Sequence, residues 1–172
     1  MSESLLIITG TMGAGKSSVL GEASDILARN HIAHAAIDVD ALGLAQLPSG
    51  DGNDTLMYRN LRSVCNNYAS VGVMRFLLAR ALEDRVELDL CRSIVAAKST
   101  LVCRLTASIE LMEQRVKVRE SGIAQPEYVA RVAELSGVLD RARLENFTIS
   151  NESRPLTEVA TEMLVRAGWI SS

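Results

Sequence analysis

Between residues 10 and 17 the chain reads Gly10-Thr11-Met12-Gly13-Ala14-Gly15-Lys16-Ser17, a glycine, any four residues, then Gly-Lys-Ser. Each residue type at that spacing has a task in polyphosphate chemistry. Glycines let successive backbone N–H groups curl around a β-phosphate, and a helix opening near Lys16 turns its electropositive end towards the same anion. The Lys16 side chain can reach the β- and γ-phosphates, and the Ser17 hydroxyl suits the magnesium that accompanies them. The expected nucleotide contacts are therefore Gly10, Met12, Gly13, Ala14, Gly15, Lys16, Ser17 and Ser18, and the expected cofactors are ATP and Mg2+. The dinucleotide fingerprint G-x-G-x-x-G does not fit, because the glycines fall at 10, 13 and 15 and a lysine follows them.

A second set of chemical residues closes the run Ala35-Ala36-Ile37-Asp38-Val39-Asp40. Residues two apart in an extended chain point to the same side, so both carboxylates are expected above the phosphate loop. One would hold a magnesium-bound water and the other would accept a proton from an acceptor hydroxyl. The structural alternative is a strand-end turn with Asp40 as a helix cap. The apolar runs ending at Ala79 and Leu105 have no aspartate immediately after them, which leaves Asp38 as the best partner of Ser17 at the metal. No Asn-Lys-x-Asp sequence for reading guanine is present.

Positioning these groups requires strands that end beside the loop. Leu5 to Ile8 is a short apolar run ending near Gly10, and Lys16 to Arg29 carries Val19, Leu20, Ala23, Ile26 and Leu27 at helical spacing. Further strands are predicted at residues 33–38, 71–79, 100–105 and 147–150, separated by helices at about 55–69, 85–97, 108–120, 127–144 and 156–167. Largely apolar strands alternating with helices predict an α/β fold, a doubly wound parallel sheet covered on both faces, with its ligand crevice at the strands' carboxyl ends. The stretch from Pro48 to Asp54 reads as an exposed loop. In the helix that follows it, Met57, Leu61, Val64 and Tyr68 form one apolar stripe, with Arg59, Arg62 and Asn66 opposite. Asn60 and Asn67 lie on the stripe's border and are the expected contacts for an acceptor.

Bulk properties narrow the function classes. The 172 residues suit a single domain with an ample core. A formal net charge of −3 argues against a broad basic surface for nucleic acid, so the expected partner is a small-molecule acceptor. Neither a membrane-spanning run nor an export signal is read, and the cytoplasm is the expected location. Cys65, Cys91 and Cys103 are widely spaced with no C-x-x-C pair, and read as buried thiols. His31 and His34 lack a nearby cysteine and are not expected to bind metal.

Taken together, the phosphate loop, the Asp38/Asp40 pair, the arginine-bearing helix near residue 115 and the run Asn151-Glu152-Ser153-Arg154-Pro155 resemble the nucleoside-monophosphate-kinase-like branch of P-loop proteins, which includes shikimate, gluconate, adenylylsulfate and chloramphenicol kinases. The resemblance implies five parallel strands in the order 2-3-1-4-5, an acceptor site above the second and third strands in an insertion at about 41–70, and a mobile lid at about 111–128. It also implies roles. Asp38 and Asp40 would act near magnesium and the acceptor, with Arg115 and Arg119 as lid arginines beside Ser121-Gly122, Arg80 on the acceptor side and Arg154 on the adenine side. The sequence lacks the glycine triplet of shikimate kinases and the Asp-Gly-Phe-Pro-Arg run of adenylate kinases. The activity this implies is transfer of the γ-phosphoryl group of ATP to a hydroxyl or phosphate acceptor. A regulatory ATP-binding module and a nucleic-acid-end or toxin-like kinase are the alternatives.

Overall fold

Leu5, Leu6, Ile7 and Ile8 are all inaccessible to solvent because the strand that carries them, β1 (Ser4–Thr9), runs through the middle of a sheet covered on both faces. In the computed structural model, which describes residues 3–48 and 54–171, β1 pairs in parallel with β3 (Arg75–Ala79) on one side and β4 (Ser99–Thr106) on the other. β2 (Ala35–Asp38) adds to β3, and β5 (Phe147–Ser150) to β4. The order is β2-β3-β1-β4-β5, and every pairing is parallel, as the sequence pattern and the resemblance led us to expect.

Strand alternation divides the core in two. Leu5 and Ile7 join Ile37, Phe76, Leu78 and Val102 beneath α2 (Asp54–Ser70) and α3 (Arg85–Val95), which contribute Met57, Leu61, Leu88 and Cys91. Leu6 and Ile8 face the other way, with Leu77, Cys103, Leu105 and Ile149. There they meet α1 (Lys16–Arg29), α4 (Ile109–Arg119), α5 (Gln125–Ala142) and α6 (Leu156–Arg166) through Leu27, Val116, Val132 and Met163. Each such fully buried aliphatic side chain contributes about 1.5–3 kcal/mol relative to exposure. The sheet is therefore a rigid base for whatever sits on its carboxyl edge.

Several boundaries differ from the sequence reading. β3 starts at Arg75 rather than Val71, because residues 71–73 turn away from the end of α2: Gly72 has φ +90, and Val73 N–H bonds back to the Tyr68 carbonyl. β2 starts at Ala35 rather than Ala33; His34 is held off the strand by Ser24 Oγ and by the Ile32 carbonyl, one on each ring nitrogen. The apolar stripe of α2 is also rotated. Tyr58 and Cys65 are buried with Met57 and Leu61, whereas Tyr68 is 44% exposed, since Tyr58 is drawn inwards by a hydrogen bond to Glu87. Residues 41–70 hold most of a 3-10 turn, Asp40–Gly43, and α2. Residues 111–128 hold most of α4, a short connection and the start of α5. The loop expected from Pro48 to Asp54 lies, over 49–53, outside the described residues. All three cysteines are buried and unpaired, and no described helix is long and apolar enough to cross a membrane.

Candidate active site

The phosphate loop leaves β1 and enters α1 at Gly15, which caps the helix with φ +97. Its conformation is imposed from outside as much as from within. A Cβ on Gly13, whose φ is +77, would overlap the backbone of Met112 in α4, and one on Gly15 would overlap the side-chain amide of Asn151. Glycine is needed at both for φ and for space. Within the loop Ala14 N–H bonds to the Thr11 carbonyl at 3.2 Å, and Lys16 Nζ turns back to the same carbonyl at 3.3 Å. Thr11 Oγ1 donates to the Val132 carbonyl of α5, and Asn151 Nδ2 donates to the Ala14 carbonyl at 2.8 Å, both in buried surroundings. Asn151, just past β5, was not singled out as a site residue in the sequence; a polar residue directly after an apolar strand was the signal available.

Arg115 and Arg119, four apart in α4, are used differently. Arg115 donates to the Gly13 carbonyl at 3.2 Å and to the Asn151 carbonyl at 2.8 Å, so it clasps the outer side of the loop. Glu152 accepts from the backbone and hydroxyl of Ser108 at the start of α4 and fixes that helix to the same connection. Arg119 is exposed and pairs with the adjacent Glu120. Arg154 pairs with Glu162 of α6 at 2.7 Å. Together with Gly13, Ser18 and Leu156, these three arginines line a cleft of about 380 Å³.

On the other side of Lys16 are the acids. Asp38 ends β2, and its Oδ2 accepts a 2.5 Å hydrogen bond from the Ser17 hydroxyl. Asp40 opens the 3-10 turn, so the strict two-residue alternation expected from a strand does not extend to it. Both carboxylates nevertheless act on Lys16: burial lowers its pKa from the ordinary value, and Asp40 and Asp38 partly offset that shift. Ser17 Oγ and Asp38 Oδ2 fit a magnesium that takes its remaining ligands from phosphates and water, the usual arrangement for that ion. No group of three or more histidines, cysteines and carboxylates forms an all-protein metal cage among the described residues.

Arg80 follows β3 directly and is the best-anchored cation of the site. Its Nε and Nη2 donate to Glu87 Oε1 at 2.9 and 2.7 Å, and its Nη1 donates to Asp40 Oδ1 at 2.5 Å. Burial alone would lower its pKa, but Glu87 and Asp40 outweigh that and raise it. Glu87 is fixed in turn by the Tyr58 hydroxyl at 2.6 Å and by Glu83 N–H at 2.9 Å. Arg80, Glu87, Tyr58, Asp54, Glu83 and Asp84 line a second cleft of about 330 Å³ between α2 and α3. Glu87 and Tyr58 were not among the predicted site residues. The signal available was the spacing Asp84-Arg85-Val86-Glu87, in which Asp84 caps α3 by accepting from Glu87 N–H. Asn60 donates to the Leu42 carbonyl and braces the 3-10 turn, while Asn67 is exposed; neither lines this cleft.

No protein-family model and no curated protein matches the chain. Solved structures do. The gluconokinase of Sinorhizobium meliloti superposes with a TM-score of 0.63 at 18% identity, covering 96% of this chain and 91% of its own. The adenylylsulfate (APS) kinase of Mycobacterium tuberculosis, in complex with AMPPNP and APS, gives 0.61 at 18%, with 95% and 96% covered. The shikimate kinase of Acinetobacter baumannii, in complex with shikimate, gives 0.58 at 17%, with 96% and 93% covered. At such identities the likeness is one of architecture, and over nearly its whole length the chain has the fold of small-molecule P-loop kinases.

Proposed function

We propose that the protein is a small-molecule kinase that transfers the γ-phosphoryl group of ATP to a hydroxyl or phosphate acceptor. The observation that carries this reading is the contact of Ser17 with Asp38 beside Lys16, at a glycine-built phosphate loop with a cleft on either side. A nucleotide would lie along the arginine-lined cleft, with Arg154 and Leu156 towards its base end and the amides of residues 13–18 around its phosphates. The acceptor would enter the cleft between α2 and α3. Kinase folds among the structural neighbours support the same reading.

In this arrangement an acceptor oxygen forms a bond to the γ-phosphorus, the bond from that phosphorus to the β,γ-bridging oxygen breaks, and ADP leaves. Phosphoryl transfer of this kind asks the protein mainly to position and to stabilise charge. Lys16 neutralises charge on the β- and γ-oxygens, and Arg119, exposed on α4, is the arginine available to the transferred group. Arg115 keeps the loop open by holding the Gly13 carbonyl away from it. Ser17 and Asp38 would hold a magnesium ion, which would supply further neutralisation of phosphate charge. Asp40, already oriented by Arg80, accepts the proton of the acceptor hydroxyl.

The test is ATP turnover by the purified protein with a library of hydroxyl compounds. Slow turnover alone and strong stimulation by one member is the expected result, and Asp38→Asn should abolish transfer while Mg-ATP still binds. A protein partner that accelerates turnover, with the whole library silent, would instead establish a regulatory ATPase. Undiminished transfer by Asp38→Asn would remove that residue from the mechanism.

A further inference from the structure

The chemical class of the acceptor can be argued from the state of Arg80, on the basis of the kinase reading above. A guanidinium at the carboxyl end of β3 is well placed to receive a carboxylate or phosphate, because its Nε–Nη2 edge matches two oxygens. In this chain that edge is already filled. Both of its nitrogens donate to Glu87 Oε1, and Nη1 is engaged by Asp40. The Arg80 and Glu87 side chains are only 16% and 13% exposed, so water screens the pair weakly. Glu87 is also held by Tyr58, by Glu83 N–H and by its own position in the first turn of α3. An anionic ligand displacing it would leave a buried carboxylate without its partner, which is strongly unfavourable.

The rest of the cleft has the same sign. Asp54, Glu83, Asp84 and Glu87 line it with Arg80, and Arg131 of α5 reaches Glu83 at 3.1 Å, so four carboxylates stand against two guanidiniums. The field of such a wall favours a cation and opposes an anion. We infer that the acceptor is a hydroxyl compound bearing a protonated amine, and that Glu87 determines this choice by occupying the anion-binding edge of Arg80.

The experiment measures phosphoryl transfer from Mg-ATP to three matched series: hexosamines and amino alcohols, the corresponding uncharged sugars and alcohols, and the corresponding sugar acids. One added charge pair at short range, partly screened, should raise kcat/KM for the amines at least about tenfold over their uncharged counterparts. That advantage should shrink with added salt. Glu87→Gln, which frees the edge of Arg80 and removes one negative charge, should lower the amine-to-acid ratio about tenfold or more. A melting curve and Mg-ATP titration check that this variant folds. If it does not, Glu83→Gln, at a side chain 42% exposed, should move the ratio in the same direction. A preference for sugar acids or uncharged sugars, or an unchanged ratio in the folded variant, would overturn the inference and leave the kinase reading standing. Silence of all three series, with Mg-ATP still bound, would overturn both.

Discussion

Replacing Arg115 by alanine separates two roles that its position on α4 allows. Its guanidinium makes two hydrogen bonds to backbone carbonyls, 3.2 Å to Gly13 and 2.8 Å to Asn151. A hydrogen bond from a charged donor contributes about 1.5–3 kcal/mol when sheltered. Arg115 is half-buried and one bond is long, so about 2 kcal/mol is a reasonable total for the pair. If all of that loss fell on keeping the loop open, Mg-ATP affinity would drop about 30-fold; if part falls on general stability, the drop is smaller and the melting temperature decreases by several degrees. The expected result of Arg115→Ala is therefore a Kd for Mg-ATP raised between about threefold and 30-fold, read by calorimetric titration, with a lower melting temperature. The turnover of the fully loaded enzyme should change less. An unchanged Kd and melting temperature with kcat lowered by two orders of magnitude would refute this reasoning and return Arg115 to the transferring group.

Three further outcomes follow from the same geometry. Gly13→Ala should abolish Mg-ATP binding, because its Cβ would meet the Met112 backbone at a positive φ, whereas Gly21→Ala, with open space around the new methyl group, should raise stability by about 0.5–1 kcal/mol in a thermal melt. The three thiols should be unreactive towards a thiol reagent at about pH 8 in the native protein and all react in denaturant, since burial raises Cys65 to about 11 and Cys91 and Cys103 to about 12; rapid labelling of the native protein would contradict their packing. Burial lowers the pKa of Lys16 from its ordinary 10.5. Between the lowered value and 10.5 the unfolded chain holds a proton that the folded one lacks, so this group's contribution to stability rises with pH across that window. A bound triphosphate restores the proton, and calorimetry in two buffers of different ionisation heat should detect proton uptake on binding Mg-ATP in alkaline solution, with zero uptake as the contradicting result.

What could be read from the chain divides along a physical line. The phosphate loop, its helix and the strand before it were legible because their constraints are local: glycine at positive φ, apolar alternation and helical spacing act within a few residues. The α2 stripe was half legible: Met57 and Leu61 are buried as expected, but Tyr58 and Cys65 are buried rather than Val64 and Tyr68, since the face a helix buries depends on its partners, here the hydrogen bond that draws Tyr58 towards Glu87. Asp38 was picked out by its place at a strand end and Arg80 by the resemblance, and both stand at the carboxyl edge of the sheet, Asp38 ending β2 and Arg80 following β3. The clasp of Arg115 on Gly13 joins residues 102 apart, and that of Asn151 on Ala14 joins residues 137 apart; no periodicity encodes such pairings. Glu87 lies in a segment read only as a helix, and its engagement of Arg80 emerges when α3 docks beside β3.

Polyphosphate binding by residues 10–17 underlies every role proposed for the neighbouring side chains, and its direct measurement is calorimetric titration of Mg-ATP into the native protein and into Lys16→Ala. Saturable one-site binding to the native protein, lost or weakened by at least an order of magnitude in the variant, is the predicted result. Absence of binding to well-folded native protein, or equal affinity in the two, would contradict it.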